Sequence, residues 1–229
     1  MYTALVDHLA PDLIESSRAD GKYAQHQAFG EPGQPDSQEY YVEFDIASCY
    51  EYLDHAFLRR ELLLSTTDVS SVDVLIDLLG EIMGRSRGLP QMMDSSDTLA
   101  DTYLEGISRH LARLGYSISR YADDFKILAK DWGTANTIIE EAAEISRTYG
   151  LILSTEKTAV YRSTNLIARK QERATFLNNH VESARSALTV MDEVWEYNDF
   201  ELVAIEPDVN QVAVEAMRKI VVEWSCATR

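Results

Sequence analysis

The chain has 229 residues, of which 45% are apolar and 26% charged, and a formal charge of −17. Its length allows one medium domain with an appendage, and no apolar run reaches the roughly 20 residues that cross a bilayer, so no membrane partner is expected. A strongly acidic total argues against broad contact with a phosphate backbone, yet the acids are uneven: residues 181–229 carry ten Asp/Glu against four Lys/Arg. Arg109, Arg113, Arg120, Lys126, Lys130 and Lys157 cluster in the middle, where a local basic path is compatible with the negative total.

Met1–Asp7 lacks the basic and apolar regions of a secretory signal. Only Cys49 and Cys226 occur, without metal-ligand spacing, which excludes a disulfide framework and suits a cytoplasmic location. In chain order, Tyr2–Ser17 spaces Leu5, Leu9, Leu13 and Ile14 as a short amphipathic helix. Arg18–Gln38 is rich in Gly, Pro, Gln and Ser and reads as loop, most clearly at Gly30–Pro35. Tyr40–Ile46 alternates as a strand, with Val42 and Phe44 on one face and Tyr41, Glu43 and Asp45 on the other.

Leu53–Leu64 and Asp68–Met83 are expected helices, the first capped by Asp54, and Gly84–Pro90 is a loop. A third helix, Thr98–Leu114, stops at Gly115. Next comes Arg120–Leu128, where Asp123 and Asp124 interrupt a β-prone run and form the tip of a hairpin between Tyr116–Tyr121 and Phe125–Ala129. A fourth helix covers Ala135–Tyr149, followed by strands at Leu151–Leu153 and Thr158–Tyr161. Beyond Ser163 the β signals fade, and Ala168–Trp195 and Asn210–Trp224 read as helices. The order of elements implies an α+β domain, an antiparallel sheet covered by helices on one face, with an α-helical C-terminal appendage. Boundaries are expected near residues 38 and 165, giving segments 1–38, 39–165 and 166–229.

Asp45 ends one strand and Asp123 sits on a hairpin turn, so neighbouring strands about 4.8 Å apart bring both carboxylates to a common edge. Hard oxygen ligands so placed suit Mg²⁺ that also keeps waters and substrate phosphates. Two such ions, with Mn²⁺ as a substitute, support phosphoryl transfer.

Four strings in order over Tyr40–Val160 resemble the reverse transcriptases, and among them the bacterial retron, group II intron and abortive-infection or defence kinds. Phe44–His55 resembles motif A; Gly88-Leu-Pro-Gln91 with Ser96, Leu99, Ala100, Tyr103 and Leu104 resembles motif B; Tyr121-Ala-Asp-Asp124 is similar to motif C and Gly150–Thr158 to motif D. The resemblance implies a ferredoxin-like palm at 39–165, preceded by a fingers remnant and followed by a thumb-like or docking segment. It implies an RNA-directed DNA polymerase that extends a primer 3′-hydroxyl with dNTPs on an RNA template, from a DNA or RNA primer, with an antiviral defence role.

By the same resemblance, Asp45, Asp123 and Asp124 are metal ligands and catalytic residues, with the Ile46 carbonyl a further contact and Tyr121 beside them. Tyr50 stands where the family keeps an aromatic against a 2′-hydroxyl, core packing being its other reading. Lys157 stands near the leaving pyrophosphate, or else is a solvated surface lysine. Gly88, Pro90 and Gln91 shape the loop that meets the incoming base pair, and Arg120 and Lys126 face either primer phosphates or solvent. Two departures stand out. Met92-Met-Asp94 replaces a Gly-Ser-Pro common among relatives, and Met1–Glu39 holds no basic nucleotide-binding motif, so a protein or RNA partner is expected to supply fingers and thumb contacts. The rival reading is a catalytically silent palm serving as an interaction or regulatory subunit; a palm-type nucleotidyl cyclase is a third.

Overall fold

A computed structural model describes residues 1–30, 39–196 and 199–227. The chain forms two compact units, Met1–Asn165 and Leu166–Arg229.

The first unit is α+β. Helix α1 (Tyr2–Leu9) continues into a 3₁₀ turn at Ala10–Asp12, and α2 (Lys22–Ala28) follows. Strand β1 (Tyr40–Asp45) leads to a short α3 (Cys49–Tyr52), then α4 (His55–Ser65), α5 (Val69–Met83) and α6 (Asp94–Arg113). The hairpin β2 (Ile118–Tyr121) and β3 (Asp124–Ala129), helix α7 (Trp132–Thr148), a 3₁₀ turn at Thr155–Lys157 and β4 (Ala159–Arg162) complete it. The sheet is antiparallel with order β2-β3-β1-β4, so β1 lies centrally, paired Tyr40↔Ala129 through Asp45↔Asp124 with β3 and Tyr40↔Arg162 through Glu43↔Ala159 with β4.

Acidic caps start three helices of the first unit. Asp54 accepts from the amides of Ala56 and Phe57, Asp68 from Ser71, and Asp131 from Thr134, each satisfying donors that the first turn leaves unpaired. Val42 and Phe44 of β1 and Phe125 and Ile127 of β3 join Leu99, Tyr103, Ile107 and Leu111 of α6 and Ala135, Ile138 and Ala142 of α7 in one fully buried cluster. At about 1.5–3 kcal/mol for each large side chain buried, this face sets the strand register.

The opposite face is not bare. Tyr41, Leu128 and Lys126 lie there and are buried, because α2 packs at β2 and Gly30 sits against Tyr41 and Leu128, where a Cβ would come within 2.8 Å of Leu128 Cδ2. Arg18–Gln38 is therefore not loop throughout: residues 22–28 are helical, and the expected loop residues 31–35 lie outside the described residues. Leu151–Leu153 is not a strand but makes one bridge, Leu153 to Ile46.

In the second unit α8 (Ser163–Leu188) and α9 (Val209–Ala227) flank a two-stranded antiparallel pair, β5 (Val190–Glu196) and β6 (Asp199–Ile205). Helix was expected to run through Trp195 and instead ends at Leu188. Val190–Trp195 and Phe200–Ile205 are rich in β-branched and aromatic residues, whose preference for a pleated strand prevails over helix there. Ala184, Val212 and Ala216 form this unit's small buried cluster.

Candidate active site

The end of β1 and the β2–β3 turn meet at a cleft of about 410 Å³. Asp45 and Asp123 both line it, with Ile46, Tyr50, Gln91 and Lys157. The turn makes this possible: Ala122 adopts φ 55°, and the Ile46 amide donates to the Asp123 carbonyl at 3.3 Å, so Asp123 leaves the strand alternation and reaches the cleft. Asp45 is mostly buried, and its Oδ1 accepts from Lys157 Nζ at 3.1 Å. Burial raises its pKa above the usual carboxylate value; the Lys157 hydrogen bond opposes this, and Asp123 and Asp124 add to it. Lys157 is 65% exposed on its 3₁₀ turn and is held charged by Asp45.

Asp124 stands directly opposite Asp45 on the same sheet face, but its carboxylate is engaged elsewhere. His26 sits between Asp124 Oδ2, 3.1 Å from Nε2, and Ser119 Oγ, 2.9 Å from Nδ1. Tyr121 likewise packs away from the cleft lining, edge-on to Tyr23 with ring centroids 5.1 Å apart.

The Tyr50 hydroxyl donates to Asp97 of α6 and accepts from Arg18 Nη2 at 3.0 Å. Burial, then the Asp97 bond, raises its pKa, so it stays a neutral phenol. The Gly88 loop is stitched beneath it: Leu89 N donates to Tyr50 O at 2.8 Å, Gly88 N to Leu53 O at 2.8 Å, and His55 Nε2 lies 2.8 Å from Gly88 O. Gly88 has φ 93°, and a Cβ would meet Met83 Cε at 2.9 Å, so this backbone path requires glycine. Gln91 and the fully exposed Met92 then border the cleft, while Gly88 and Pro90 shape the loop without lining it.

Arg120 and Lys126 face neither phosphate nor solvent. Arg120 donates to Asp101 Oδ1 at 2.7 Å and lies 3.4 Å from Glu105, and buried Lys126 donates to His26 O at 3.3 Å with Glu43 at 3.9 Å. Both sit where the sheet is covered, by α6 on one side and α2 on the other, which the strand pattern alone does not reveal.

Ser48, Cys49, Met92 and Asp97 also line the cleft and were not singled out as site residues from the sequence. The Cys49 thiol is pushed up to about 12, first by burial and then by Asp123, so it is not a nucleophile at neutral pH. For Asp97 a signal was present: Asp97, Asp101 and Glu105 recur every fourth residue along α6, one face of the helix.

Among the described residues no three His, Cys, Asp or Glu side chains form a ready-made metal cage. Two carboxylates on an open cleft fit Mg²⁺ nevertheless, which takes one or two from protein and the rest from water and phosphate. Of the carboxylates lining the cleft, Asp97 is paired with Arg18, which leaves Asp45 and Asp123 against the ammonium of Lys157, a balance that attracts cations. Among the described residues no helix is long and apolar enough to cross a membrane.

No curated protein matches the chain. Among solved structures, that of telomerase from Candida albicans in complex with a TWJ fragment of telomeric RNA superposes with a TM-score of 0.46 at 13% identity, covering 70% of this chain. The chain spans 33% of that protein's length. The family described as reverse transcriptase (RNA-dependent DNA polymerase) matches residues 14–181, and since that is most of its length, the chain belongs to this family.

Proposed function

We propose that the chain is the palm of an RNA-directed DNA polymerase that extends a primer 3′-hydroxyl with dNTPs on an RNA template. The observation that carries this reading is the meeting of Asp45 and Asp123 in one cleft, with Lys157 3.1 Å from Asp45. Asp45 and Asp123 would hold Mg²⁺, or Mn²⁺ in its place, with the Ile46 carbonyl at the same edge. The chemistry such ions would supply there is activation of the primer hydroxyl and stabilisation of the departing oxygen. Asp124, held by His26, anchors the hairpin rather than entering the cleft.

Tyr50, fixed by Asp97 and Arg18, presents its ring to the sugar and leaves no room for a 2′-hydroxyl. Gln91 and Met92 border the templating side, and Lys157 neutralises the leaving pyrophosphate or protonates it. The palm occupies residues 39–165 within the first unit; a protein or RNA partner completes the grip on the duplex. Motif strings like those of bacterial retron and abortive-infection enzymes support kinship with them and a role in phage defence, and the sparse cysteines suit the cytoplasm.

Purified protein given an RNA template, a primer, Mg²⁺ and labelled dNTPs is expected to incorporate label, and Asp123→Asn to lower the rate roughly 100-fold or more. No incorporation by folded wild type would sink the reading. Tyr50→Ala is expected to raise ribonucleotide use relative to dNTPs at least about 10-fold.

A second reading, a silent palm that serves as an interaction subunit, is favoured by the burial of Arg120 and Lys126 in ion pairs and by the −17 charge. It predicts stable co-purification with a basic partner and no primer-template binding by fluorescence anisotropy at low salt.

A further inference from the structure

The hairpin that carries Asp123 is gripped from outside by the segment preceding the sheet and by α6. Asp101, only 1% exposed, accepts from Ser16 Oγ at 2.8 Å, Ser17 N at 3.0 Å, Ser17 Oγ at 2.6 Å and Arg120 Nη1 at 2.7 Å. Two of those partners pass the grip to the turn. Ser17 Oγ accepts from the Ala122 amide at 2.9 Å, and Arg120 Nη1 donates to the Ala122 carbonyl at 3.1 Å. Both main-chain groups of Ala122 are thus held by side chains that converge on one buried carboxylate.

Arg120 alone would fasten α6 to β2 and hold the Ala122 carbonyl, leaving the Ala122 amide without Ser17. The serines add something different. Ser17 and Ala122 are 105 residues apart in sequence, so their contact is no part of ordinary turn geometry. Ala122 also holds a positive φ of 55°, which the two-residue turn between Tyr121 and Asp124 demands and which strains an alanine more than a glycine, so the added bonds to its amide and carbonyl support a costly conformation. Asp123, the next residue, has its carbonyl tied to the Ile46 amide, and its side chain lines the cleft.

We propose that Ser17 and Asp101 are positioning residues: with Arg120 they clamp Ala122 in its left-handed state and so aim the Asp123 carboxylate at the metal edge of the cleft. The purpose assigned to the clamp rests on the polymerase reading above; the clamp itself does not. Fixing a ligand through its supporting hydrogen bonds commonly changes metal affinity by about 10–100-fold.

The test uses the full chain as wild type, Ser17→Ala, Ser17→Thr and Asp123→Asn. Ala122 amide exchange is followed by NMR, Mn²⁺ binding by electron paramagnetic resonance, and kcat and KM for dNTP in primer extension. Ser17→Ala is expected to speed Ala122 exchange at least about 10-fold with the rest of the sheet unchanged, to weaken Mn²⁺ binding about 10–100-fold, and to lower kcat while KM holds. Ser17→Thr, which keeps the hydroxyl, restores all three. Wild-type exchange and Mn²⁺ affinity in Ser17→Ala, with Asp123→Asn deficient in Mn²⁺ binding, overturn the clamp and leave the polymerase reading standing. Mn²⁺ binding absent from wild type and Asp123→Asn alike counts against the polymerase reading. The exchange rate then still decides the clamp: faster in Ser17→Ala upholds it, unchanged overturns it.

Discussion

Two sets of carboxylates lie side by side in the first unit and are treated in opposite ways. Along α6, Asp97, Asp101 and Glu105 alternate with arginines: Arg18 lies 3.7 Å from both Asp97 and Asp101, and Arg120 lies between Asp101 and Glu105. At the sheet edge, Asp45 and Asp123 share one exposed lysine. The first set is neutralised and bonded within the protein; the second is left short of positive charge. Acids of the same type thus serve as joints where arginine saturates them and stand open to solvent cations where it does not.

The contrast can be broken from either side. Asp101→Ala would leave Arg120 buried without its main partner and is expected to cost about 3–5 kcal/mol, read as a large fall in Tm. Next in size, Gly88→Ala puts a Cβ at φ 93° and 3.2 Å from the Glu51 carbonyl oxygen and should cost about 1–3 kcal/mol, with dNTP incorporation falling alongside. At the cleft the pattern inverts. Lys157→Met should leave Tm within about 2 °C, since its pair with Asp45 is solvent-exposed on one side, while incorporation falls roughly 100-fold.

The smallest effect belongs to Asp68, the exposed cap of α5. Its carboxyl is held down at about 2 by the Ser71 hydrogen bonds and then by His8, against an ordinary value of 3.8. The folded form binds the proton less tightly than the unfolded chain, so this contribution is complete above pH 3.8 and is lost as pH falls through about 2. Asp68→Ala should therefore lower Tm slightly at pH 7 and not at all near pH 2, which thermal melts at the two pH values would show.

Much of this architecture is legible in the residues. Asp54 as a cap, Gly115 as a stop, and the alternation of Val42 and Phe44 are local signals, and local hydrogen bonding and burial honour them. The meeting of Asp45 with the hairpin tip follows from strand pairing, but the register sets Asp124 opposite Asp45, and it is the turn at Ala122 that brings Asp123 to the cleft. What sequence reading missed depends on contacts between distant segments. Whether Arg120 meets solvent or Asp101 is decided by where α6 lies, and the engagement of Asp124 by His26 is decided by α2, which the polar composition of residues 18–38 conceals. The β5–β6 pair was missed because Ala168–Leu188 is rich in helix-forming residues and runs without a breaker into strand-forming ones.

Beneath the cleft, Phe44 and Phe125 stack with centroids 4.8 Å apart and planes 9° from parallel, one register step before Asp45 and Asp124. A slip of one residue between β1 and β3 would turn carboxylates into the apolar layer and aromatics out to water. The greasy side of the sheet therefore proofreads the acidic side: any pairing error that would spoil the alignment of the cleft is rejected first by the core, before any substrate arrives to notice it.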